Sequence, residues 1–370
     1  MRATAAIVLV TGAAIGAQAP PPARVASPEI AADRQVTFRL RAPQAREVTL
    51  SGEFLDGSRA FVRDASGLWS LTIGPIEPEI YHYNLTIDGV RTIDPGNPNL
   101  KTGSTFSTLS SILEVRGDRP AFYDGQAVPH GEIRTHWYHS TSLQALRRVT
   151  VYTPPGYDRR AADRFPVLYL FHGANADETA WHRLGRVNLI LDNLLAAGKI
   201  RPFLVVMPFG YGVDPSASAQ GRNTELFGKD LLNDLIPYVD ATYRTLTARD
   251  HRAIVGLSMG GGQALSIGLN HLDRFSHVGG FSSGLGRAEE FPATYAKAIA
   301  APAETNQALR LLWVGCGTSD GAFAASKGFS EFLTAHRIAH TFRATDGAHT
   351  WMVWRRYLNE IAPLLFQPKT

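Results

Sequence analysis

Residues 252–262, Arg-Ala-Ile-Val-Gly256-Leu-Ser258-Met-Gly260-Gly-Gly, decide how the rest of the chain is read. An apolar run enters the stretch, and the small-residue sequence GQALSIGL (262–269) leaves it with helical character. Between them, Gly256, Ser258 and Gly260 form a G-x-S-x-G pattern. This predicts a strand, a sharp turn and a helix. The glycines flank a turn too tight for side chains, so the serine hydroxyl stands above the sheet on a strained backbone. The chain carries its own control. Gly280-Phe-Ser282-Ser-Gly284 also reads G-x-S-x-G and also comes after an apolar run, SHVGGF. The next residues, GLGRAEEFP, hold no immediate helix whose N-terminus would receive a developing anion. Ser258, not Ser282, is the expected nucleophile.

Outward from this point the pattern is regular. PVLYLFHG (166–173), FLVVMPFG (203–210), SHVGGFS (276–282) and LLWVGCG (311–317) are nearly continuous apolar runs, as expected of strands covered on both faces. Amphipathic stretches such as ELFGKDLLNDLIPYVDATYRTL (225–246) and AFAASKGFSEFLTAHR (322–337) separate them. Alternating strand and helix predicts an α/β domain with a doubly wound, mostly parallel sheet over residues 125–370, opened by the strands HWYHS and RRVTVYTP. Upstream the period is two. VTFRLRAP, EVTLSGEF, GLWSLTIGP and YHYNLTIDG are broken by turn residues at Asp56-Gly57, Ser66-Gly67, Asp88-Gly89 and Asp94-Pro95-Gly96. That spacing predicts a small antiparallel β-sandwich over residues 27–117, with a linker after it.

The bulk numbers exclude several classes. Of 370 residues, 44% are hydrophobic and 19% charged, an ordinary globular composition for two domains. The 37 basic and 33 acidic residues are scattered with no basic run, so no nucleic-acid partner is expected. Met1-Arg2, the apolar Ala5–Gly16 and Ala17-Gln18-Ala19 read as a signal peptide over residues 1–19, predicting a secreted or periplasmic protein. No later stretch predicts a membrane span in the mature chain. Cys316 is the lone cysteine, so no intramolecular disulfide forms. No H-E-x-x-H, cysteine pair or clustered His/Asp array suggests a metal, and no cofactor is implied. The oligomeric state has no signature here.

A serine nucleophile needs a base. In the fold that carries this turn, the α/β-hydrolase fold, the order along the chain is nucleophile, acid, histidine. His349 fits the last place, on the loop Asp346-Gly-Ala-His349 between the strand HTFRAT and a closing helix. Asp320 fits the second, at the C-terminal end of LLWVGCGTSD, where it would fix the imidazole tautomer. Asp346 is the rival acid, but it shares a short loop with the histidine. The oxyanion hole needs two backbone N–H groups, expected from Met259 and from Ala174 after His172-Gly173.

VPHG (128–131), VYTPPGY (151–157), PVLYLFHG, LDNLLAAGK (191–199), GLSMGGGQAL (256–265) and HTWMVWRRYL (349–358) resemble the feruloyl-esterase and enterochelin-esterase-like group of secreted esterases. The front segment, in SGEF, GLWSLTIGPIEPEIYHYNLTIDG and DPGNPNLK, resembles the immunoglobulin-like early-set (starch-binding-like) domain that often precedes this catalytic domain. The resemblance implies a serine ester hydrolase whose triad falls on Ser258, Asp320 and His349. Phe171 and Asp240 depart from the commonest pattern without touching the chemistry. It further implies a small-molecule or polysaccharide-linked ester as substrate, with a feruloyl group on plant xylan ahead of siderophore lactones and acetylxylan. Acyl transfer and non-catalytic carbohydrate binding are the other readings. Trp181 and Trp351, with Phe209 and Tyr211, lie near the loops expected around the nucleophile, where they would either contact an aromatic acyl group or pack the helices and loops together. Trp69, Tyr81 and Tyr83 fit the core of the front sandwich better than a sugar-stacking platform.

Overall fold

The computed structural model describes residues 25–102, 109–159, 161–214 and 220–367; the expected signal peptide lies outside them. The front part consists of two antiparallel sheets. One orders Glu29–Ile30, Val36–Arg41, Leu68–Ile73 and Val62–Arg63. The other orders Ser58–Ala60, Val48–Gly52, Glu79–Ile87, Ser110–Val115 and Leu100–Lys101, with Val90–Thr92 paired to Glu79–Ile87. Period-two sequence explains their packing. Val36, Phe38 and Leu40 turn inward to meet Val48, Leu50 and Leu85 of the second sheet, while Thr37, Arg39 and Arg41 point away. Trp69, Tyr81 and Tyr83 are core residues whose polar ends are satisfied internally, on Ala42 O at 2.9 Å, Glu77 O at 2.9 Å and the Asp94 carboxylate at 2.8 Å.

The second part is one mixed sheet. Among the described residues its strands are β1 (Glu132–Ser140), β2 (Ala145–Thr153), β3 (Val167–Phe171), β4 (Leu204–Pro208), β5 (Arg252–Leu257), β6 (His277–Phe281), β7 (Leu311–Gly317) and β8 (Thr341–Thr345). Their order is β1-β2-β4-β3-β5-β6-β7-β8. The pairs β1–β2 and β2–β4 are antiparallel and all the others parallel. Every residue of β3, β4, β5 and β6 is buried, which is why these strands read as unbroken apolar runs. Alternate residues of β3 feed opposite layers. Tyr169 and Phe171 pack with Phe227, Leu231 and Leu265, while Leu168 and Leu170 pack with Leu191, Val205 and Tyr357.

Helices supply those layers: Val187–Ala196 after β3, Met259–Asn270 after β5, Phe323–Ala335 after β7 and Trp351–Ile361 after β8. The stretch after β4 departs from a single amphipathic helix. Gln220–Asp230 passes through a π-helical turn at Leu231–Leu235 into Ile236–Thr242, where Pro237 has no N–H for the regular ladder. No helix among the described residues is long and apolar enough to cross a membrane.

His277, at the start of β6, is buried between Ser276 Oγ, 2.9 Å from its Nδ1, and the Phe366 N–H, which donates to its Nε2 at 3.2 Å. Burial pushes this imidazole down to about 4, and does the same to His172 after β3. The unfolded chain therefore takes up protons as pH falls below the ordinary histidine value of ~6.5, while the folded chain does not until near 4. Stability is fully present above the first value and drains away toward the second. Thermal unfolding midpoints should fall steadily over that window, and less steeply in His277→Gln; a flat profile in the wild type would contradict this assignment.

Candidate active site

The loops at the C-terminal ends of the parallel strands converge on Ser258. It directly succeeds β5 and caps the helix Met259–Asn270 with φ 53° and ψ −121°, a conformation that L-residues avoid. Glycine makes the turn sterically possible at two points. A Cβ on Gly256 would overlap Gly260 O, and one on Gly260 would overlap His172 O. Backbone bonds then lock it: the Ser258 N–H donates to Phe281 O at 2.8 Å, and Ser258 O accepts from Gly284 N–H at 2.7 Å and Gly262 N–H at 3.1 Å.

Phe281 and Gly284 belong to the second G-x-S-x-G sequence, which is thus a brace for the first. Ser282 itself is buried, and its Oγ accepts a hydrogen bond from Trp354 Nε1–H at 3.0 Å.

His349 comes from the loop after β8. Its Nε2 is 3.0 Å from Ser258 Oγ, and its Nδ1 is 3.0 Å from both oxygens of Asp320. A carboxylate only accepts, so Nδ1 carries the hydrogen and Nε2 presents its lone pair to the serine hydroxyl. The Asp320 side chain is 1% exposed, and its Oδ1 also accepts from Ala322 N–H at 2.8 Å. The two loops are zipped together, with Thr318 N–H donating to Thr345 O and Ser319 N–H to Gly347 O. Asp346, the rival acid, is exposed and pairs with Arg356 at 3.2 Å.

The loop after β3 passes over the same point. Gly210 N–H donates to His172 Nε2 at 2.8 Å, so the hydrogen is on Nδ1, which donates to Gly173 O at 2.7 Å. Asn175 N–H donates to Tyr211 OH at 2.7 Å. The backbone of residues 173–175 is therefore held from two sides by the 210–211 loop. Gln263 reinforces that loop by donating to Gly210 O at 2.9 Å, and Asn223 Oδ1 accepts from Gly212 N–H at 2.7 Å.

Ser258, Met259 and Ala174 line a cavity of about 650 Å³ whose walls include Tyr211, Leu285 and Tyr295. Its charged lining residues are the carboxylates Asp214 and Glu290; no Lys or Arg lines it among the described residues.

Trp181 and Trp351 require a correction. They do not reach this cavity. Trp181 is 1% exposed and donates Nε1–H to Phe171 O at 2.9 Å, and Trp351 packs edge-on against it with ring centroids 5.2 Å apart. Both seat the closing helix on the sheet. Phe209 packs against His172 and lies under Arg147, which leaves Tyr211 as the cavity aromatic of the four named from sequence. His172, Asn223 and Gln263 had no sequence signal as supports: the sequence marks His172-Gly173 as the loop before Ala174 without giving the imidazole a task, and the other two read as ordinary helix residues.

Residues 140–365 match the Esterase family, described as "Putative esterase". An endo-1,4-beta-xylanase/feruloyl esterase of Xylanibacter ruminicola is 33% identical over 347 residues, covering 92% of this chain and 46% of that protein. The chain thus spans less than half the length of this curated relative. The solved structure of a ferulic acid esterase is 25% identical, with a TM-score of 0.56 over 64% of this chain and 98% of its own. An enterochelin esterase from Shigella flexneri shares the fold over 92% of this chain and 95% of its own, with a TM-score of 0.69 and 19% identity. On the match over residues 140–365, the chain belongs to the Esterase family.

Proposed function

We propose that the protein hydrolyses carboxylic esters through an acyl-enzyme on Ser258, and that its natural substrate is a feruloyl or related acyl ester of plant polysaccharide. The observation that carries the chemistry is the run of short contacts from Asp320 through His349 to a serine on a strained turn beside an open cavity. His349 Nε2 takes the proton as Oγ bonds to the ester carbonyl carbon. Asp320 stabilises the imidazolium, and the same proton passes to the departing alcohol. Water then repeats the sequence on the acyl-enzyme.

The carbonyl oxygen becomes an oxyanion, and Met259 and Ala174 N–H groups are its donors in this reading. His172 acts here without touching substrate. The Gly173 carbonyl and the Ala174 N–H belong to one trans peptide and point in opposite directions. Holding the carbonyl on His172 Nδ1–H therefore aims the N–H the other way.

For the acyl group, the Tyr211, Leu285 and Tyr295 walls suit an aromatic ring, and the activity named for the Xylanibacter relative points the same way. No Lys or Arg lines the cavity among the described residues, and Arg287 beside it is already paired with Glu290 at 2.9 Å, which disfavours a multiply anionic ferric catecholate. The second reading, siderophore-lactone hydrolysis, rests on the fold shared with enterochelin esterase across both parts of the chain. We further read residues 27–117 as an immunoglobulin-like early-set domain, residues 125–370 as the hydrolase domain, and the N-terminal pattern as an export signal. Sugar stacking on Trp69, Tyr81 or Tyr83 has no support, because all three are buried.

Three outcomes are expected. Ser258→Ala should lower kcat on a soluble ester by on the order of 10⁴-fold or more, while Ser282→Ala keeps most activity; near-normal turnover by the Ser258 variant would sink the mechanism. His172→Ala should cost about tenfold or more in kcat with little change in KM, and His172→Asn should recover part of it because its amide can also donate to Gly173 O. An unchanged kcat in His172→Ala would remove it from the oxyanion loop's support. Across methyl ferulate, acetylated xylan, a catecholate trilactone and its ferric complex, kcat/KM should be highest on the ferulate and lowest on the ferric complex. The reverse order would favour the siderophore reading.

A further inference from the structure

One guanidinium joins the front domain to the helix that follows His349. Arg355, one turn into Trp351–Ile361, is 1% exposed. Its Nη2 donates to Glu79 Oε1 at 2.6 Å and to Ile80 O at 3.2 Å, its Nη1 donates to Leu184 O at 2.8 Å, and it lies 5.0 Å from the Tyr123 ring centroid. Glu79 and Ile80 open the strand Glu79–Ile87 of the front sheets, Tyr123 belongs to the connecting segment, and Leu184 follows the short helix Ala180–Arg183. Met352, on the same first turn, packs against the front-domain core.

The other side of that turn faces the catalytic machinery. Trp354 donates to Ser282 Oγ and meets the His349 ring edge-on, with centroids 4.9 Å apart and planes at 88°. Trp351 is wedged against Trp181 and Gly185. The rotation of the helix's first turn is thus set by Trp354 and Trp351 on the hydrolase side and by Arg355 on the front-domain side. His349 leans on one of these anchors. A second ion pair bridges the two parts, Arg186 with Glu114 at 2.7 Å, but its side chains are 29% and 26% exposed and it does not involve this helix.

We propose that the Glu79–Arg355 pair makes the front domain a positioning element for His349, so that the domain is a fixed part of the catalytic centre and not a detachable tether. The proposal rests on the reading of His349 as general base. A buried arginine stripped of its carboxylate must find another partner or admit water, and either outcome shifts the turn that supports the histidine. The half-buried Arg186–Glu114 pair is better screened and does not touch this helix, so it lacks that leverage. Because a small misplacement of a reacting group is costly, the effect belongs in kcat.

The test uses the full chain with Glu79→Gln and Glu114→Gln, each removing one interdomain carboxylate. Steady-state kinetics on a soluble p-nitrophenyl ester, too small to need a polymer-binding site, should show kcat down about tenfold in Glu79→Gln with KM nearly unchanged. Glu114→Gln should match the wild type. Hydrogen exchange over residues 346–361 should quicken in Glu79→Gln alone. Equal kcat and equal exchange in the two variants, whether both normal or both impaired, would overturn the proposal. Should Glu79→Gln fail to fold, Glu79→Asp keeps the charge but shortens its reach, and wild-type exchange and kcat there would equally overturn it. The exchange readout needs no turnover, so it stands apart from the base assignment, which fails instead if His349→Ala keeps its activity.

Discussion

The rest of the site depends on one constraint, the backbone of Ser258 held at φ 53° and ψ −121°. Such a conformation costs about 1–3 kcal/mol and persists only where its surroundings over-determine it. Here the surroundings are explicit. Gly256 and Gly260 remove the atoms that would collide, Phe281 O and Gly284 N–H grip the serine backbone from the neighbouring strand end, and the succeeding helix fixes the exit direction. The side chain then stands 3.0 Å from His349 Nε2. The second G-x-S-x-G sequence is best understood as one side of this clamp.

Around that clamp the supports come in layers, and each borrows rigidity from the sheet. Asp320 is fixed by the turn that ends β7 and by the backbone zipper to the loop after β8. The loop 173–175, proposed to carry an oxyanion donor, hangs from His172 and Tyr211, which hang from the loop after β4. The histidine's own helix is seated by Trp181, Ser282 and the buried Arg355. Strand ends are where a parallel sheet offers such convergence, because neighbouring loops leave it side by side. The front sheets meet this helix through Glu79, which accepts from Arg355.

How far the sequence could be read depends on the kind of signal each residue leaves. β3 to β6 are near-continuous apolar runs because both faces are covered, and the front strands alternate because one face is, so the parallel strands and the antiparallel sheets were legible. Ser258, Asp320 and His349 were nameable because chain order and strand ends place them. Burial of Trp181 and Trp351 was not legible: a tryptophan near a catalytic loop has the same sequence signature whether it faces solvent, ligand or core. The supports were equally silent. The His172 tautomer is set by Gly210, 38 residues away, and Arg355 is paired with a carboxylate 276 residues away. Pairings at that separation exist only once the fold does.

In the proposed function Ser258 is a nucleophile that His349 renders reactive, and that reactivity can be measured without any natural substrate. The intact protein is treated with a fluorophosphonate and the adduct mapped by peptide mass spectrometry. One adduct per chain is predicted, on the peptide holding Ser258, with slow or absent labelling in His349→Ala. Labelling of Ser282, or labelling of Ser258 at an equal rate without the histidine, would contradict it.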